Sequence, residues 1–184
     1  MTPRLVSRVL RRMAAPFRTS SASQAATFTA IFRANAWGSA ESVSGPGSTE
    51  ARGADFQDEL IARNSRLHAA GNRRFLCGDM TRADLPRADL IVCRDGLVHL
   101  SFVDARAAIR NFRRTGSRYL LATTFVGRPL NSDVPTGGWR LLNLEAPPFA
   151  FPAPLALVDE RCTHSGGAYR DKRLGLWELG SLVH

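Results

Sequence analysis

The chain has 184 residues, 44% of them apolar, and a formal net charge of +9. That is enough for one domain with its own core, and no apolar run approaches the roughly 18 residues of a membrane span. Lys172 is the only lysine, and five arginines (Arg4, Arg8, Arg11, Arg12, Arg18) fall in the first 18 residues. The charge excess is therefore largely a basic tail, which argues against a nucleic-acid-binding face.

Residues 1–24 carry no acidic residue and pass from Arg-rich to Ser/Ala-rich sequence. They are expected to form a flexible basic arm, with an amphipathic or organelle-targeting segment as the alternative, and they lack the apolar core of a secretory signal. One α/β domain is expected over 25–184. Cys77, Cys93 and Cys162 are too widely spaced for a zinc site. They fit a reducing, cytoplasmic setting, with Cys77 and Cys93 acting as small buried hydrophobes.

Within the domain, Ala26–Phe32 is apolar enough for a short docked helix. Asn35–Glu50, rich in Gly, Pro and Ser, reads as a loop. Its Trp37 suggests that it is ordered over a site rather than a plain connector. Gly53-Ala-Asp55 closes a strand. Phe56–Ala70 then places Phe56, Leu60, Ile61 and Leu67 on one helical face, with Gly71-Asn72 as a stop. An acid between strand and helix is placed to accept hydrogen bonds from ribose hydroxyls, although Asp55 is equally suited to cap the helix. Arg74–Asp79 is a second strand ending in an acid.

Leu90–Cys93 is a continuous apolar run between charged residues, the pattern of a strand buried on both faces. It ends in Arg94-Asp95, at the strand end where open α/β sheets bind ligands. Ser101 caps a helix running from Phe102 to about Arg114. Asp104 suits its start, Arg110, Arg113 and Arg114 its end, and Gly116 stops it. Arg118–Phe125 is the next buried strand. The β-α-β-β-α-β order predicts an α/β fold with a largely parallel sheet. Trp139–Leu144, Leu155–Val158 and Leu174–Leu179 are short strand candidates, the last two as an antiparallel C-terminal edge pair. Arg161-Cys162-Thr163-His164 offers only two metal-ligand candidates, so no metal site is expected.

Taken in order, these segments resemble a bacterial family of class I S-adenosylmethionine-dependent methyltransferases with a Rossmann-like core. The resemblance is carried by Trp37–Ser48, Gly53-Ala-Asp55, Phe75-Leu-Cys-Gly-Asp79, Leu85–Ser101, Tyr119–Thr124, Gly138–Leu144 and Pro147-Pro-Phe149. It implies S-adenosylmethionine as cofactor, with Asp55 on its ribose, Asp79 and Met80 facing its adenine, and Arg94 and Asp95 beside its methionine moiety and the substrate. It also implies a small-molecule or glycan-type acceptor and a Trp37–Ser48 loop over the pocket. His99 is placed to act as a general base with Asp95, or to pack at the helix start.

The family has a strand, a glycine-containing turn and a helix before the segment matching Gly53-Ala-Asp55. Here Thr49-Glu-Ala-Arg52 runs straight into Gly53, and a βαβ unit needs roughly 30 residues. The expected core is therefore one without its first strand and helix. The alternative function is a non-catalytic remnant of the fold, a binding module or truncated gene product, with an open sheet edge that favours oligomers.

Overall fold

The computed structural model describes residues 28–34, 49–55, 58–68 and 73–182. The basic arm and the Trp37–Ser48 loop lie outside them. One mixed sheet holds β1 (Phe28–Ala34), β2 (Thr49–Asp55), β3 (Arg73–Cys77), β4 (Leu90–Arg94), β5 (Tyr119–Phe125), β6 (Ala156–Asp159) and β7 (Lys172–Glu178). Their order is β3-β2-β1-β4-β5-β7-β6. Between them run α1 (Asp58–His68), α2 (Phe102–Arg114), the four-residue α3 (His164–Gly167) and 3₁₀ turns at Leu97–His99 and Leu179–Ser181.

The β3-β2-β1-β4-β5 half has the strand order of a doubly wound α/β fold, with one reversal. β1 pairs antiparallel with both β2 and β4, whereas β2–β3 and β4–β5 are parallel. The central position expected to be vacant is thus filled by residues expected to be helical. Phe28-Thr-Ala-Ile-Phe alternates aromatic and β-branched residues with a small one, which suits a strand. Without β1, the facing edges of β2 and β4 would expose unpaired backbone donors and acceptors in the middle of the sheet.

The sheet is also less parallel than the sequence suggests. β7 is antiparallel to β5 and to β6, so the expected C-terminal antiparallel pair forms, with β7 inside and β6 at the edge. Trp139–Leu144 is not a strand. Its N–H groups go instead to Val98 O from Arg140, to Asn131 Oδ1 from Asn143 and to Thr124 Oγ1 from Leu144.

Helix α2 has the bounds its sequence predicts. Ser101 Oγ accepts from Asp104 N at 3.1 Å, Asp133 Oδ1 accepts from Phe102 N at 2.7 Å, and Gly116 has φ 69°. Ala105, Ala108, Ile109 and Phe112, spaced along one helical face, are buried. Alternation along the strands divides the core by sheet face. Ile91, Cys93, Leu120, Ala122 and Trp177 belong to the cluster that includes α2, while Val92, Tyr119, Leu121, Leu174 and Leu176 form a second cluster. Two apolar expectations fail. Leu67, near the end of α1, is 62% exposed, and Cys77, at the last position of β3, is exposed while Cys93 is buried.

Candidate functional site

Parallel strands β2 and β3 place Asp55 opposite Cys77, so Asp55 and Asp79 emerge at the same edge of the sheet. β4 runs in the same direction and delivers Arg94-Asp95 to that edge. Four of the six predicted site residues, Asp55, Asp79, Arg94 and Asp95, thus stand at the carboxyl ends of three co-directional strands, and Met80 follows directly. The reversed β1 brings its amino end there, with Thr29 between Ala54 and Cys93 and Phe28 opposite Arg94. β1 thus leads into this edge rather than out of it.

The residues flanking the predicted covering loop, Ala34 and Thr49, pair with each other at the opposite edge.

Asp79 builds a tight turn. Its Oδ1 accepts from Thr81 N at 2.9 Å and Thr81 Oγ1 at 2.8 Å, and Arg82 Nε lies 3.2 Å from Oδ2. Burial alone would raise the carboxyl's pKa, but the Thr81 hydrogen bonds and the Arg82 charge more than offset it and hold the group below its ordinary value. Met80 and Ala83 pack against the main core.

At the end of β4 the backbone turns sharply, with Asp95 at φ 54°, a left-handed conformation uncommon outside glycine. Asp95 N donates to Thr123 Oγ1 at 2.8 Å. Lys172 Nζ sits 2.7 Å from Asp95 Oδ1 and 3.7 Å from Glu160 Oε2, and Arg94 Nε lies 2.6 Å from Glu160 Oε1. Burial disfavours the Arg94 charge, but Glu160 and Asp95 outweigh it and raise the guanidinium's pKa. Two cations and two anions therefore tie the end of β4 to the β6–β7 hairpin. Sequence reading missed Lys172, Glu160 and Thr123 as members of this cluster. The one signal available was the single lysine in an arginine-rich chain.

His99 lies on the 3₁₀ turn after β4. Its Nδ1 is 2.7 Å from Gly138 O. A carbonyl only accepts, so Nδ1 carries the proton, and in the neutral ring Nε2 keeps its lone pair. Nε2 is buried and has no hydrogen-bond partner. The turn is held by the 137–140 segment, since Gly137 N donates to His99 O and Arg140 N to Val98 O. The Arg140 guanidinium, almost wholly buried, donates to Leu100 O and Leu97 O and lies 4.7 Å over the Phe102 ring. Burial lowers its pKa, with Asp133 opposing. Beside this turn, Trp139, 45% exposed, packs edge-on against Tyr169 at 5.3 Å and Phe125 at 6.3 Å.

Among the described residues no group of three or more His, Cys, Asp or Glu side chains could hold a metal ion, and no helix is long and apolar enough to cross a membrane.

No family model and no curated protein matches the chain. Solved structures similar to it include magnesium protoporphyrin IX methyltransferase (ChlM) from Synechocystis PCC 6803 with bound SAH. The match has 21% identity and a TM-score of 0.35, over 42% of this chain and 37% of that one. The same enzyme with bound SAM matches at 21% identity and a TM-score of 0.35, over 45% of this chain and 41% of that one. The chain thus spans well under half the length of these structures.

Proposed function

We propose that the chain is a class I methyltransferase-like protein that binds S-adenosylmethionine at the Asp55–Asp79–Asp95 edge and transfers its methyl group to a small-molecule or glycan-type acceptor. The observation that carries this reading is the arrival of Asp55, Asp79 and Arg94-Asp95 at one edge from β2, β3 and β4. Ligands of open α/β sheets sit outside the carboxyl ends of their strands, near the point where the strand order reverses.

The residues fit the nucleoside end of such a donor. Asp55 would accept from the ribose hydroxyls. Asp79, whose side chain is 37% exposed, keeps acceptor capacity beyond its Thr81 and Arg82 contacts. Met80 would lie against the adenine, with Arg94 and Asp95 toward the methionine moiety. When bound, the donor supplies an activated methyl group on a sulfonium. The protein's share is then mostly positioning, with a base needed only where the acceptor must lose a proton. His99, whose Nδ1–H is held by Gly138 O and whose Nε2 lone pair has no hydrogen-bond partner, would take such a proton. Asp95 stands here as a positioning partner, because its carboxylate is already paired with Lys172.

The second reading, a non-catalytic binding module, is favoured by the reversed β1, which replaces the glycine turn expected to cradle the donor. The two readings separate in an assay of S-adenosylhomocysteine release against a panel of saccharide and small hydroxylated acceptors. His99→Gln is expected to lower kcat about 100-fold and to leave donor Kd unchanged. Turnover unaffected by this substitution would remove His99 from the mechanism. Donor binding with no turnover on any acceptor would favour the binding module.

A further inference from the structure

The turn that carries Asp79 and Met80 is gripped from behind by a residue that no reading of the strand ends reaches. Asn111, on the inward face of α2, is 4% exposed. Its amide donates to Met80 O at 3.0 Å and to Ala83 O at 2.8 Å, and its Oδ1 accepts from Arg114 at 2.8 Å. Both amide hydrogens are thus committed to one turn thirty residues away in sequence. A buried side-chain amide is costly unless satisfied. Its neighbours on the same helical face, Ala105, Ala108, Ile109 and Phe112, are all apolar. An apolar residue would suit α2 packing better, so the amide's distinctive contribution is to the turn.

The turn is tight for reasons of its own. Ala83 N donates to Asp79 O at 2.7 Å. A Cβ on Gly78 would come within 2.9 Å of the Ala83 Cβ, so the chain closes over a position that has room only for glycine. Asn111 fixes the two carbonyls on the inner side of this turn, which leaves the Asp79 carboxylate on its outer side.

We propose that Asn111 is a positioning residue for donor binding: it holds the Gly78–Ala83 turn in the shape that presents Asp79 and Met80 to the adenine of S-adenosylmethionine. This rests on the methyl-donor reading above. Asn111 would not touch the donor. It would remove the ordering cost that a loose turn adds to binding.

The test is calorimetric titration of the full chain with S-adenosylhomocysteine and with adenosine, using Asn111→Leu and, as a matched control, Ser117→Ala. Ser117 Oγ accepts from Ala88 N at 2.8 Å and from the hydroxyl of Thr115, the C-cap of α2, so its loss perturbs the end of the same helix without touching the turn. Asn111→Leu is expected to raise both Kd values about tenfold and to leave kcat at saturating donor within about twofold. Ser117→Ala should leave both Kd values unchanged. The inference is overturned if Asn111→Leu binds like the wild type, if kcat falls at constant Kd, or if Ser117→Ala weakens binding equally. Should Asn111→Leu fail to fold, Arg114→Met, at an exposed residue, removes the bond that orients the amide together with a 3.5 Å contact to Arg82 O of the same turn. A Kd about threefold higher supports the inference, and an unchanged one overturns it. A wild-type chain that binds neither ligand overturns the methyl-donor reading and this inference together. Wild-type binding with unaltered variants overturns this inference alone.

Discussion

Ile31→Pro is expected to abolish cooperative folding. Ile31 lies mid-way along β1, opposite Arg52 of β2 and Ile91 of β4, so its backbone is flanked by strands on both sides. Proline there removes a ladder donor and crowds the neighbouring strand, which sheets tolerate only at edges and bulges. The loss falls at the seam between the β2–β3 and β4–β5 pairs. Failure at that seam separates the two halves of the sheet. Leu157→Pro on edge strand β6 is the control. Leu157 stands opposite Gly175, and Val126 N donating to Asp171 O and Leu179 N to Arg118 O set the odd-numbered residues of β7 toward β5, so the Leu157 N–H points away from β7 and proline there breaks no ladder bond. Circular dichroism and thermal melting should show a native transition for Leu157→Pro and none for Ile31→Pro. A folded Ile31→Pro protein would mean that β1 is not the central strand.

Lys172→Met is expected to cost about 3 kcal/mol. The ammonium is the shared cation of Asp95 and Glu160, and the three side chains are only 12%, 23% and 13% exposed. Methionine fills similar volume but leaves two poorly hydrated carboxylates facing Arg94 alone. Removing one partner of a buried charge cluster costs more than the pair itself contributes, because the charge left behind is uncompensated. The exposed pair of Arg118 and Glu178, 3.9 Å apart, provides the contrast. Arg118→Met should cost under about 0.5 kcal/mol. Urea denaturation read as a midpoint shift at constant slope distinguishes the two. Equal shifts for both variants would show that the cluster is solvated in solution.

Local rules made part of this fold legible. Ser101, Asp104 and Gly116 fix the ends of α2 by capping chemistry that operates within four residues. Leu90–Cys93 and Tyr119–Phe125 read as buried strands because both sheet faces are covered there. Segment 26–32 misled because seven residues are too few to separate helical from strand periodicity. What decides β1 is the unpaired backbone of β2 and β4, which is not a property of its own sequence. Trp139–Leu144 misled for the opposite reason: it has strand composition, but side chains and turns take up its backbone donors. Within the candidate site the strand-end acids were legible, since strand ends are marked locally. Lys172, Glu160, Arg140 and Asn111 were not, because each acts across 28 or more residues of chain.

The proposed donor site is built from these strand-end acids, although β1 enters where a glycine turn was expected to leave. Its most direct test is titration of the purified, monodisperse full-length chain with S-adenosylmethionine and S-adenosylhomocysteine, beside Asp55→Ala. Saturable binding that weakens 100-fold or more in Asp55→Ala is the predicted result, a loss of roughly 3 kcal/mol from charge-assisted bonds to the ribose. Folded wild-type protein that takes up neither ligand, or binding indifferent to Asp55, would contradict it.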